Sequence, residues 1–330
     1  MKGWSETELV ELIRRLGGTA APGMRVGMGD DAAVLEVSRG QELLVTTDLF
    51  VEGVHFRREW LPAAAAGRRA LCRALSDIAA MGGEPRFAFL SLAIPSASSL
   101  QPPLSSLQPP LSSLQPPLSG LQPPASWVRG FLRGFTAAAR SFHVALAGGD
   151  TGSSGSGALL ADVIILGTAP KGTAALRSGA RPGDGLFVSG RLGAPAAALD
   201  SGRRPPPIHP RLALGKHLRS YRLITAMMDL SDGLSTDLNR LIRESGVGAE
   251  VDIDRLPLAG TLQQALNGGE DYELLFTVPE AGAGRLPRSI AGVALTCIGR
   301  ITGGRGAWLV DSRGRRRRLS PGGWEHAGNT

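Results

Sequence analysis

Apolar residues along this chain recur at two spacings, and the switches between them mark out the elements. Around Trp4-Ser5-Glu6-Thr7-Glu8, residues Leu9, Val10, Leu12 and Ile13 predict an amphipathic helix with Ser5 as N-cap and Glu8 completing a capping box. Behind Pro62, the stretch Gly67 to Met81 carries Leu71, Leu75, Ile78 and Ala79 on one stripe and is closed by Gly82-Gly83, which predicts a second helix. Trp127 to Leu132 and Leu234 to Glu244, the latter ending at Gly246, predict two more. Strands are expected at Glu42 to Thr47, ending at Asp48, and at Arg86 to Ile94, His143 to Ala147, Leu159 to Gly167, Leu186 to Ser189, Glu250 to Ile253, Tyr272 to Val278, Val293 to Gly299 and Ala307 to Val310. Gly148-Gly149-Asp150 reads as a turn, and small-residue and arginine-rich helical segments run to Met228, broken by the loop Arg203 to Pro207. Helices and strands thus alternate in an α/β (α+β) pattern.

At 330 residues the chain is too long for one compact core. The natural boundary is Pro170 to Arg181, giving an N-terminal domain over 1–170 and a C-terminal domain over 171–330. Residues 100–124 repeat Leu-Gln-Pro-Pro-Leu-Ser-Ser with a period of seven, and the paired prolines exclude a coiled coil, so this is read as a low-complexity surface insertion without a chemical role.

Composition narrows the partners. The net charge is +7, the sequence pI near 10.3, and the only lysines are Lys2, Lys171 and Lys216. The arginines are scattered and aromatics make up 5%, so the one dense run, Arg313 with Arg315 to Arg318, is read as a solvated turn or edge and no nucleic-acid partner is expected. Cys72 and Cys297 share no ligand spacing, which argues against zinc and fits a reducing compartment. With no signal peptide and no apolar run of membrane-spanning length, a cytoplasmic protein with no membrane contact is expected.

What packing does not ask for is a set of carboxylates flanked by Gly, Ser, Thr or Ala: Asp30 and Asp31, Asp48, Asp77, Asp150, Asp229 and Asp232, Glu270 and Asp271, nine of the 29 acidic residues. Buried carboxylates are costly unless paired or bound to a cation, so the recurrence points to one site gathering several metal ions. Magnesium takes one or two carboxylates plus phosphate oxygens, which makes a nucleoside triphosphate the expected ligand. Gly-x-x-x-x-Gly-Lys-Ser/Thr is absent, as are His-Arg-Asp and Asp-Phe-Gly, so such an enzyme is neither a P-loop nor a protein-kinase type.

Six stretches taken in order resemble the thiamine-monophosphate kinase family: Gly27 to Val34, Thr46 to Phe56, Ala74 to Gly82, Gly148-Gly149-Asp150-Thr151, Asp229 to Leu234, and Gly268 to Leu274. The resemblance implies the two-domain fold of aminoimidazole ribonucleotide synthetase, each domain a mixed sheet with flanking helices, and a homodimer whose N-terminal sheets associate. It implies magnesium ions held by Asp30, Thr46, Thr47, Asp48, Asp77, Asp150, Asp229 and Asp232. ATP contacts would come from Phe142, Gly149, Asp150, Arg177 and Ser231, and thiamine phosphate contacts from His55, Glu270 and Trp324. The implied reaction converts thiamine phosphate to thiamine diphosphate with ATP, the last step of thiamine diphosphate biosynthesis. No side chain need act as a general base, because the acceptor phosphate, with a second pKa of about 6, is largely ionised at neutral pH. Direct in-line transfer without a phosphoenzyme is expected. The insertion at 100–124 and Gly193-Ala194-Pro195 depart from the family pattern, and the nearest alternatives are an aminoimidazole ribonucleotide synthetase-like or selenophosphate synthetase-like ATP enzyme; a basic binding protein without catalysis is the alternative from another class.

Overall fold

A computed structural model describes residues 6–18, 21–28, 32–95, 123–154, 157–222 and 224–324. Asp30, Asp31 and all but the last two residues of the proline-rich insertion lie outside this set, as does Ser5. By contacts the chain divides into Met1–Arg39, Val45–Ala74 and Pro85–Gly167 as one unit, and Gly40–Leu44, Leu75–Glu84 and Thr168–Thr330 as the other.

The first half of the chain runs α1 (Glu6–Gly17), β1 (Met24–Val26), β2 (Val34–Leu35), β3 (Gln41–Val51), α2 (Ala63–Ala80), β4 (Glu84–Pro95), α3 (Ala125–Ser141), β5 (Ala145–Ser154) and β6 (Leu160–Pro170). Strands β1 and β2 pair with each other, and the remaining four form a sheet in the order β3-β6-β4-β5. Helices α2 and α3 meet backbone to backbone: a Cβ on Gly67 would lie 1.9 Å from the Phe131 carbonyl oxygen, and one on Gly134 would lie 2.0 Å from that of Ala64. Glycine at both crossings is therefore a steric requirement, and it lets Phe131, Leu132 and Phe135 sink out of solvent.

The second half runs β7 (Gly185–Ser189), α4 (Ala194–Asp200), α5 (Leu212–Ser220), β8 (Ala226–Asp229), α6 (Leu234–Ser245), β9 (Gly248–Asp252), α7 (Leu262–Asn267), β10 (Leu274–Val278), α8 (Glu280–Ala283), β11 (Ser289–Ile290), β12 (Val293–Thr302), β13 (Gly306–Val310) and β14 (Arg316–Leu319). Its sheet has the order β14-β13-β9-β12-β7-β10-β8, with β11 alongside β12. Leu186 and Val188 pack with Leu234, Leu238 and Leu241 of α6, whereas Phe187 between them packs with Leu214 and Leu218 of α5. Burial on both faces explains why these strands read as continuous apolar runs.

Several expectations need correction. The strand expected to end at Asp48 continues to Val51, so Asp48 lies within edge strand β3 and not at its end. Gly148-Gly149-Asp150 is no turn but part of β5, paired in parallel with β4 through Leu90↔Gly149 and Ser91↔Asp150. Here a Cβ on Gly149 would stand 1.9 Å from the Leu90 carbonyl oxygen, so the glycines serve close strand contact and not chain reversal. Helical segments do not run to Met228: Ala226–Asp229 is a fully buried strand whose four residues are too few to display a period. Tyr272 precedes β10, at a left-handed φ of 49°. The arginine run forms the turn after Asp311 and strand β14 at the sheet's edge, where Arg316 pairs with Glu250 at 2.9 Å.

Candidate active site

In the N-terminal unit β3 supplies Thr46, Thr47 and Asp48. Both oxygens of Asp48 take hydrogen bonds, at 3.1 Å each, from Nε and Nη2 of Arg73 on α2. This bidentate pair fixes the carboxylate plane, because the planar fork of arginine admits one orientation. Thr47 Oγ1 donates to Asp162 Oδ1 at 2.7 Å. Asp150 is exposed on β5, its Oδ1 accepting from Thr151 N at 2.8 Å.

His55 sits in a tight turn after β3, with its Nδ1 accepting from the Val51 amide at 2.9 Å and its ring stacked on Phe50. Nearby Glu52 is buried and accepts from Leu159 N at 3.0 Å and from Arg58. Phe142 follows α3 with the Arg68 guanidinium 5.5 Å from its ring centre, so one face of that ring already carries a cation.

The C-terminal unit collects the remaining groups. Ser76, one residue before Asp77 in the last turns of α2, donates from Oγ to Asp229 Oδ2 at 2.7 Å across 153 residues of sequence. Asp77 is half-buried, not a surface acid. Asp229 is buried, and burial pushes its carboxyl up to about 6 against the pull of the Ser76 hydroxyl. Three residues on, Asp232 pairs with Arg240 of α6. Gly233 is the N-cap residue of that helix, with Ser231 and Asp232 immediately before it. Asp237, in the first turn, ties down the chain that leads into the helix: its buried carboxylate accepts from Asp232 N at 3.0 Å and from Arg240 Nη1 at 2.9 Å. Arg177 is exposed, its carbonyl accepting from Ser245 Oγ at 2.9 Å, and its charge draws the Asp229 carboxyl downward.

Glu270 stands at a left-handed φ of 60°, and its amide donates to the Ser231 carbonyl at 2.7 Å. Asp271 beside it accepts from Gly193 N at 2.8 Å, and burial pushes its carboxyl up to about 7. Trp324 is 53% exposed, which rules out a core tryptophan, and its amide donates to the Asp232 carbonyl at 3.2 Å. Arg73, Asp237, Arg240 and Arg211, which lie outside the motifs, each hold a motif residue: Asp48, Asp232, Asp232 and Glu273 respectively. Only the i,i+3 spacing of Asp237 and Arg240 on one predicted helix was visible beforehand.

The candidate metal donors are all carboxylate or hydroxyl oxygens, the set a hard cation such as magnesium prefers. Among the described residues no three His, Cys, Asp or Glu side chains form a ligand group by themselves. Buried, and held by the Ser76 hydroxyl, Asp229 is the donor whose environment most suits a cation.

Two family models match: AIR synthase related protein, N-terminal domain, over residues 29–169, and its C-terminal domain over residues 181–311. The fold and its acidic motifs therefore define an AIR synthase-related protein of two domains. HypE of E. coli, a hydrogenase maturation protein, shares the fold at a TM-score of 0.75 and 20% identity, covering 96% of this chain and 98% of its own. The thiamine-monophosphate kinase of Salmonella typhimurium is 34% identical over 310 residues, 84% of this chain and 85% of the relative. A solved structure of AaThiL complexed with AMPPCP and TMP is 30% identical with a TM-score of 0.69, covering 97% of this chain and 96% of that chain. The chain belongs to the thiamine-monophosphate kinase family of enzymes.

Proposed function

We propose that this chain transfers the γ-phosphoryl group of ATP to thiamine phosphate, giving thiamine diphosphate, in the cytoplasm and as a homodimer. The observation that carries the reading is the hydrogen bond from Ser76 to the buried Asp229, which joins two acidic motifs of the family order across 153 residues. A relative binding AMPPCP and TMP together supports the substrate pair.

Both substrates are polyanions, so their mutual repulsion is the main barrier to approach. Asp48, Asp77, Asp150, Asp229 and Asp232, with Thr46 and Thr47, are the described residues that would hold magnesium; Asp30 lies outside the described set. When bound, magnesium neutralises phosphate charge and stabilises the transferring group. The chain's own part is positioning. Arg73 and Arg240 orient Asp48 and Asp232, and Asp237 fixes the turn from which Asp232 projects. Phe142, Gly149, Asp150, Arg177 and Ser231 would bind ATP, and His55, Glu270 and Trp324 thiamine phosphate. The exposed indole of Trp324 offers a face for a cationic thiazolium ring. Because the acceptor needs no deprotonation, transfer is direct and in line, with no phosphoenzyme.

The dimer is supported by an exposed apolar row on edge strand β3, where Leu43, Val45 and Leu49 are 47%, 62% and 51% accessible. Among the described residues no helix is long and apolar enough to cross a membrane.

The test is to incubate purified protein with ATP, magnesium and either thiamine phosphate, free thiamine or an aminoimidazole precursor, and to identify products by mass. Thiamine diphosphate from the first alone is expected; turnover of another acceptor, or none, overturns the reading. A labelled phosphoprotein after brief exposure to γ-labelled ATP would contradict direct transfer.

A further inference from the structure

The segment from Gly268 to Glu273 links α7 to β10 through three left-handed residues, Gly269 at φ 68°, Glu270 at 60° and Tyr272 at 49°. Of the five non-glycine residues with positive φ in the described chain, two stand in this segment. Side chains tolerate that region only where surroundings enforce it. On one side the enforcement comes from the Leu230-Ser231 backbone: Glu270 N donates to Ser231 O at 2.7 Å, Tyr272 N to Leu230 O at 2.8 Å, and Leu230 N to Glu273 O at 2.8 Å.

On the other side it comes from two acids. Glu273 is buried and takes Ser189 Oγ at 2.5 Å and Arg211 Nε at 2.8 Å. Asp271 reaches the opposite way, where Oδ1 accepts from Gly193 N at 2.8 Å and the Ala194 amide also bonds to its carboxylate. Gly193 is itself left-handed at φ 90°, and a Cβ there would lie 2.8 Å from Ala265 N of α7, so the turn that Asp271 grips has little room to move. The second oxygen of Asp271 is buried with no hydrogen-bond partner, an arrangement that a purely stabilising residue would not favour.

We propose that Asp271 is a positioning residue for the acceptor: by tying the bend to the Gly193-Ala194 turn it holds Glu270 in the left-handed conformation from which its carboxylate meets thiamine phosphate. This rests on the reading of Glu270 as a thiamine phosphate contact. Asp271 touches no substrate; it acts through its neighbour.

The experiment compares D271A, D271N and E270A in the full chain, measuring KM for thiamine phosphate, KM for ATP, kcat and the thermal midpoint. D271A is expected to raise KM for thiamine phosphate about tenfold while KM for ATP stays within about twofold. D271N keeps the accepting oxygen and is expected to restore the wild-type KM within about threefold. General destabilisation would lower the thermal midpoint and kcat and leave both KM values unmoved, whereas a disturbance of the whole site would raise both KM values together; either result, or a D271N as impaired as D271A, overturns the proposal. Should D271A not fold, D271S, whose shorter side chain cannot span both amides, is judged by the same split. E270A separates the two readings: a normal KM there removes the Glu270 assignment, whereas a raised KM there with a normal D271A removes only the role of Asp271.

Discussion

His55 Nδ1 accepts the Val51 amide hydrogen at 2.9 Å, and this one contact sets the tautomer of the ring. A nitrogen that accepts carries no proton, so the imidazole hydrogen resides on Nε2, and the stack on Phe50, with centroids 6.2 Å apart, limits rotation. Nitrogen NMR at pH 7.5 is expected to show an unprotonated Nδ1 and a protonated Nε2. The opposite pattern would overturn this tautomer and the Val51 contact that sets it. Replacing His55 by Ala should raise KM for thiamine phosphate about tenfold, the value of one hydrogen bond to an anion.

Asp48 and Asp232 each face an arginine, from α2 and α6 respectively. An asparagine in either place keeps the shape and loses the charge. For D48N and D232N, turnover is expected to fall about 100-fold or more, with circular dichroism spectra unchanged. Wild-type turnover in both variants would remove them as metal donors.

Gly149 is demanded by β4. With the Leu90 carbonyl oxygen 1.9 Å from any added Cβ, G149A must push the two paired strands apart. Denaturant titration should show a loss of about 1–3 kcal/mol. A variant as stable as the wild type would show that the strands can separate without cost.

The pH dependence of stability follows from Asp271. Burial raises its folded-state value to about 7, and the nearby Glu273 adds to the rise, whereas in the unfolded chain the carboxyl titrates near the ordinary 3.8. Between these limits the folded state binds the extra proton. Its contribution is therefore fully present below about pH 4 and is lost as pH rises through about 7. Because D271N does not titrate, the stability of wild type minus that of D271N should fall by roughly 2–4 kcal/mol from pH 4 to pH 8. A flat difference across that range would show that the carboxyl is not desolvated.

The candidate acids could be named from local sequence, since carboxylates set among Gly, Ser and Thr have no packing reason to be there. Asp229 is the clearest case: an acid in a fully buried strand that no solvated face could explain. What local pattern could not reveal was who holds each acid. Arg73 reads as any helix arginine until β3 is laid against α2, and Asp271 reads as one more cluster carboxylate until the Gly193 turn arrives beneath it.

The chain's own order of residues determined the α/β class, the split near residue 170 as an expectation, and the family, because periodicity and motif order are properties of neighbours along the backbone. Only the tertiary structure decided that Gly149 lies in a strand, that Ala226–Asp229 is extended, and that the Glu270 bend is locked from two sides. Those outcomes depend on contacts between residues tens to hundreds of positions apart, such as Ser76 with Asp229 at a separation of 153. A hydrogen bond or steric limit of that kind has no signature in either partner's local sequence.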